Sequence, residues 1–126
     1  MSDEGSAPLS ERAQAASAGE LNALLGRGAR FSGKLAFEGK VRIDGVFEGE
    51  VFSDGVLIVG DEAEVRATIE VGTLIVRGGT VRGDVRAASA VEVYAPSKVY
   101  GNLTAAEVFI DKGVVFEGAV KMTERE

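Results

Sequence analysis

The chain has 126 residues, of which 45% are apolar, and a formal net charge of −6. That length fits one domain, the apolar fraction is too high for a wholly disordered chain, and the acidic balance argues against nonspecific nucleic-acid binding, which needs Lys and Arg to neutralise phosphates. Neither cysteine nor histidine occurs, which removes disulfides, thiolate and imidazole metal ligands, and Ser-His or Cys-His catalysis.

Residues 1–20 are rich in Ala, Ser, Gly and charge, with Leu9 an isolated aliphatic, and are predicted to form a disordered tail. The opening Met1-Ser-Asp-Glu-Gly-Ser6 is polar and acidic. It lacks the apolar core of a signal peptide, and an anionic membrane would repel it. Direct membrane binding is therefore not expected, and the cytoplasm is the expected location. Ser17-Ala-Gly-Glu20 has the form of a capping box, and Leu21, Leu24 and Leu25 have helical spacing, so a short helix is one reading of this stretch. The other reading is a strand. Leu25 precedes Phe31 by six residues, as Val59 precedes Val65, Val93 precedes Val99 and Ile110 precedes Phe116. That alignment makes residues 24–31 the beginning of a first repeat unit.

From residue 21 to residue 122 the chain repeats itself about every 17 residues. A large apolar residue recurs at Phe31, Phe47, Val65, Val81, Val99 and Phe116, with gaps of 16, 18, 16, 18 and 17. Two positions after each stands a very small residue: Gly33, Gly49, Ala67, Gly83, Gly101 and Gly118. Two further on come Leu35, Val51, Ile69, Val85, Leu103 and Val120. Apolar pairs sit between these blocks, from Val41/Ile43 to Val108/Ile110. The alternation has period two, which is strand geometry, and Asp-Gly and Gly-Gly pairs punctuate the gaps.

Asp-Gly between strands is also a hairpin signal. A meander of hairpins, however, gives no reason for one order of apolar, small and apolar residues to recur in six blocks. A coil in which each position stacks on its equivalent one winding below does, because stacking imposes one size preference per column. The prediction is an all-β, single-stranded β-helix, a solenoid of about six windings with three short faces and a triangular cross-section. At a strand spacing of ~4.8 Å it is a rod roughly 3 nm long. The small column marks a bend or a narrow interior where a side chain would clash. Residues 123–126 form a short C-terminal tail.

Only the terminal windings of such a rod lack a strand neighbour, and soluble proteins usually block an open strand edge. Met122 is followed only by Thr-Glu-Arg-Glu, too short to cover the end. The candidate contact surfaces are therefore Val114, Phe116, Val120 and Met122 at the C-terminal end, and Leu24, Leu25, Phe31, Leu35 and Phe37 at the N-terminal end. Apolar surfaces on opposite ends of a rod predict linear self-assembly.

This combination of a tail, a coiled φ-x-G-x-φ repeat and an uncapped last winding resembles the bactofilins, bacterial polymer-forming cytoskeletal proteins. The stretches Leu25-Gly-Arg-Gly-Ala-Arg-Phe-Ser-Gly33, Val41-Arg-Ile-Asp-Gly-Val-Phe-Glu-Gly49 and Val115-Phe-Glu-Gly118 carry the resemblance. It implies a right-handed helix and filaments that form without nucleotide or other cofactor. It also implies contacts between like ends, so that the filament lacks polarity, and a non-enzymatic scaffold that positions cell-wall, polarity or chromosome-segregation proteins. Its partners would be further copies of itself, paralogous subunits, and clients on the tail or lateral faces. A phenylalanine of the last winding serves polymerisation in the family, and Phe116 is the matching position. Many members carry a hydrophobic N-terminal membrane-binding peptide, which the opening residues here do not match.

Competing motifs are weaker. Gly28-Ala-Arg-Phe-Ser-Gly33-Lys34 matches seven positions of a P-loop, but Leu35 stands where Ser or Thr binds magnesium, and no helix pattern follows. Glycines six apart, such as Gly33, Gly39 and Gly45, look like the hexapeptide repeat of left-handed β-helix acyltransferases, but the six-residue period fails after Gly55 and those enzymes generally use a histidine base. A third alternative is a β-solenoid binding module that does not polymerise. The aspartates suit turns better than a calcium repeat, so no metal site is expected. Arg66, Arg77, Arg82 and Arg86 read either as a basic stripe or as mixed surface charge, the latter favoured by Glu62, Glu64, Glu70 and Asp84 among them.

Overall fold

The computed structural model describes residues 23–123, and all regular structure in that span is β. The predicted tail, the capping box and the last three residues lie outside the described residues. In chain order the strands are β1 (Ala23–Leu25), β2 (Arg30–Phe37), β3 (Lys40–Ile43), β4 (Val46–Ser53), β5 (Val56–Val59), β6 (Glu64–Arg77), β7 (Thr80–Arg82), β8 (Val85–Tyr94), β9 (Lys98–Ile110) and β10 (Val115–Met122). Every strand pairing is parallel, and each joins a residue to its equivalent one winding on.

The register reproduces the sequence columns. Phe31 pairs with Phe47, Phe47 with Val65, Val65 with Val81, Val81 with Val99 and Val99 with Phe116. On another face Ala23, Val41, Leu57, Leu74, Val91 and Val108 follow one another in the same way. The strand reading of residues 23–25 therefore holds, because Ala23 and Leu25 pair with Val41 and Ile43. Inward positions are buried in alternation, so the core is one continuous stack of Val, Ile, Leu, Phe and Ala. Between strands the ladder continues through the corners, for example from Gly60 N to Ile43 O at 2.8 Å and from Val115 N to Ser97 O at 3.0 Å. Few backbone groups are thus left without partners inside the rod.

The small column has a sharper cause than a narrow interior. Gly33, Gly49, Gly83, Gly101 and Gly118 all have φ between +134° and +146°, in the left-handed half of the map. A Cβ built on Gly49 or Gly101 would lie 1.8 or 2.0 Å from the carbonyl oxygen of the column neighbour one winding below. The clash is with stacked backbone at a corner, not with core side chains. Gly33 has the same backbone conformation but nothing within 4 Å of such a Cβ.

One buried polar group holds a corner of the fifth winding. Ser97 is buried, its Oγ accepts from Gly78 N at 2.7 Å, and it donates to the carbonyl of Tyr94.

Two glycine variants separate conformation from stacking. Gly33→Ala is expected to cost the left-handed-φ strain alone, roughly 1–3 kcal/mol. Gly101→Ala adds the backbone clash and should cost clearly more. Urea unfolding of both variants checks this, and equal losses would remove the stacking argument.

Candidate functional site

The two ends of the rod are its most distinctive surfaces, and they differ. Among the described residues β10 pairs only with β9, and β2 only with β4, so each presents an open backbone edge. At the C-terminal end the exposed large apolar residues are Phe109, Ile110, Val115, Val120 and Met122. Val120 and Met122 are 41% and 59% exposed. Val114 and Phe116 are half-buried against the core, with Phe116 stacked on Val99 in the register.

At the N-terminal end Leu24 is 53% exposed and Phe31 36%, while Leu25 is half-buried. Leu35 and Phe37, predicted to contribute to this end, are interior side chains at 4% and 8%. What β2 offers a partner there is its backbone edge together with Phe31. Phe31 also lies flat on Phe47, with ring centroids 5.2 Å apart and planes 7° from parallel. An aromatic stack of that kind adds roughly 0.5–1.5 kcal/mol beyond area burial.

The other sequence candidates are dispersed. The P-loop-like segment runs directly into strand β2 at Arg30, so no helix N-terminus follows it. Arg66 and Arg82 are column neighbours, but Arg66 is paired with Glu64 at 2.8 Å and Glu48 at 3.7 Å, and Arg82 lies over the Tyr100 ring at 4.3 Å. Arg77 lies over Tyr94, and Arg86 stacks beside Glu70. The four arginines thus form no single stripe. Exposed pairs of this kind contribute about 0–1 kcal/mol each. An open groove of about 1130 Å³ runs past Phe37, Phe52, Asp54, Glu70 and Arg86. Its one hydroxyl, Ser53 Oγ, donates to Phe37 O at 2.7 Å and accepts from Gly55 N at 2.8 Å, which commits it to the turn. Among the described residues no three His, Cys, Asp or Glu side chains converge as a metal site would need, and no helix is long and apolar enough to cross a membrane.

The profile of the bactofilins, described as polymer-forming cytoskeletal proteins, matches residues 23–121. The chain belongs to the bactofilin family. It is 31% identical over 105 residues to Bactofilin BacP of Myxococcus xanthus (strain DK1622), an alignment that covers 83% of this chain and 43% of that protein. The match thus spans a little under half the length of the curated bactofilin. No solved structure matches it.

The bactofilin domain carries residues at its C-terminal end that the candidate surface omitted. Phe109 and Ile110 belong to it because nothing among the described residues stacks above β9 there. The signal was present: the Val108/Ile110 pair is the last in its column. Two ionisable groups on the same face are perturbed. A hydrogen bond from Arg42 to Asp44 raises the guanidinium pKa against the opposing effect of burial. Donation from Tyr94 to Glu92 at 2.6 Å raises the phenol above its ordinary value near 10.

Stability separates end residues from core residues in the same column. Phe47, fully buried, should lose about 3–5 kcal/mol on replacement by alanine. Phe31→Ala should lose well under half as much. Equal losses in a denaturant titration would mean that Phe31 is an ordinary core residue rather than part of an end surface.

Proposed function

We propose that this chain is a cytoskeletal scaffold whose β-solenoid assembles end to end into filaments without nucleotide or other cofactor and without enzymatic activity. The observation that carries the reading is the open C-terminal winding. It combines an unpaired strand edge with apolar side chains on all three faces: Phe109 and Ile110 on the first, Val115 on the second, Val120 and Met122 on the third. Backbone pairing supplies the strand-to-strand contact, and burial of those side chains supplies the driving force.

The reading assigns Val114, Phe116, Val120 and Met122 to one contact and Leu24, Leu25 and Phe31 to the other, with Leu35 and Phe37 supporting the N-terminal edge from inside. An end this apolar loses most water by meeting its own copy, which favours like-to-like junctions and a filament without polarity. Other factors (cell-wall, polarity or chromosome-segregation proteins) would then ride on the lateral faces or the tail, in the cytoplasm, alone or with paralogous subunits in the same filament. The family membership supports the polymer, and the match to under half of the curated relative's length leaves the clients to the rest of this reading.

Negative-stain electron microscopy of the purified chain without nucleotide tests it. Filaments are expected at both low and high salt, because apolar burial is weakly screened. Phe116→Arg should retain its circular dichroism and give no filaments. Discrete trimers of the wild type would favour the acyltransferase-like alternative, and a monomer at high concentration would favour a simple binding module.

A further inference from the structure

The outward side chains of β1, β3 and β5 and their equivalents form a flat lateral face. One column of it runs Leu24, Arg42, Ile58, Ile75, Glu92, Phe109, each residue paired in register with the next. Beside it run Lys40, Val56, Thr73, Ala90 and Glu107. The middle of this face is apolar, with Ile58, Ile75 and Val56 half-buried by their neighbours and their outer sides toward solvent. The outward columns of the other two faces are mostly charged or polar through the same windings, as in Ser32, Glu48, Arg66, Arg82, Tyr100 and Glu117.

The face is self-complementary in one orientation only. Lay a second copy on it with its rod axis reversed, the crossing point between the third and fourth windings. Ile58 then meets Ile75 of the other copy, Arg42 meets Glu92, and Leu24 meets Phe109. With the axes parallel, Arg42 meets Arg42 and Glu92 meets Glu92, a like-charge arrangement that opposes association. Asp44 takes only the Nε of Arg42, and a guanidinium has two further nitrogens. Tyr94 bonds to Oε1 of Glu92, and the carboxylate has a second oxygen.

We infer that this face is a lateral docking surface for a second copy of the chain in antiparallel orientation. A single face of three residues by six windings is smaller than the ~800 Å² per partner of a standard interface. Its strength comes from repetition along a filament, by effective concentration, and in that respect the inference rests on the filament reading above.

Disulfide trapping tests it, since the chain has no native cysteine. Lys40→Cys and Ala90→Cys chains are mixed and oxidised under the conditions of the microscopy. In the antiparallel pair residue 40 faces residue 90, and the 40–90 bond should dominate. The 40–40 and 90–90 bonds would each need sites three windings apart, ~14 Å, beyond the reach of a disulfide. The like-to-like end junctions proposed above leave residue 40 of one copy and residue 90 of the next about six windings apart, so they do not mimic the result. Dominant 40–40 and 90–90 bonds, or no bond beyond that of cysteines placed on another face, overturn the inference, whether the face is then bare or covered by a different partner. Filaments without the 40–90 bond leave the filament reading standing and remove this one, and the bond without filaments does the reverse. As a second measurement, Arg42→Glu should separate paired filaments into single ones, and Arg42→Glu with Glu92→Arg should pair them again. Failure of the double variant to restore pairing counts against the Arg42–Glu92 contact.

Discussion

Parallel in-register stacking is the constraint on which the rest of this molecule depends. Each residue is bonded to its equivalent one winding away, so a column must suit itself six times over. That requirement explains why the core is built from Val, Ile, Leu and Phe in fixed columns, and why glycine stands where stacked backbones approach at a corner. It also concentrates the unsatisfied edges. A sheet of this kind has no long free sides, only a first and a last winding, and the chain's distinctive chemistry collects there because the interior has no room for it.

Much of this was legible in the residues. Apolar columns at gaps of 16 to 18 gave the winding length and the strand register, because stacking is a periodic demand and periodicity survives in a sequence. Residues 23–25 were ambiguous locally, since three leucines at positions 21, 24 and 25 have helical spacing. Alignment with the later windings resolved them, and the pairing of Ala23 with Val41 shows the longer-range pattern overriding the local one.

What was not legible follows from physics that a linear pattern does not encode. The small column read as a bend or a narrow core; at its five glycines the structure adds a positive φ and, at all but Gly33, a carbonyl in the path of a Cβ, while Ala67 carries its Cβ within the same column. The end surfaces were read from chain order, which points to first and last windings but does not report depth. Leu35 and Phe37 are interior although they stand in the first winding, whereas Phe109 and Ile110 are exposed although they lie twelve or more residues before Met122. Exposure at an end depends on which face the chain last crosses, a property of the coil and not of sequence distance from the terminus.

The corners carry one more consequence. The windings differ in length, and the register shifts where Val71 and Thr73 stand opposite Ala87 and Ala90, with one more residue on the second path than on the first. The columns on either side are undisturbed: Ile69 still meets Val85 and Leu74 still meets Val91. The core is therefore indifferent to how many residues turn a corner there. A corner of this kind can therefore take a loop of different length or character with the scaffold beneath unaltered. Whole windings, by contrast, can be gained or lost only as units.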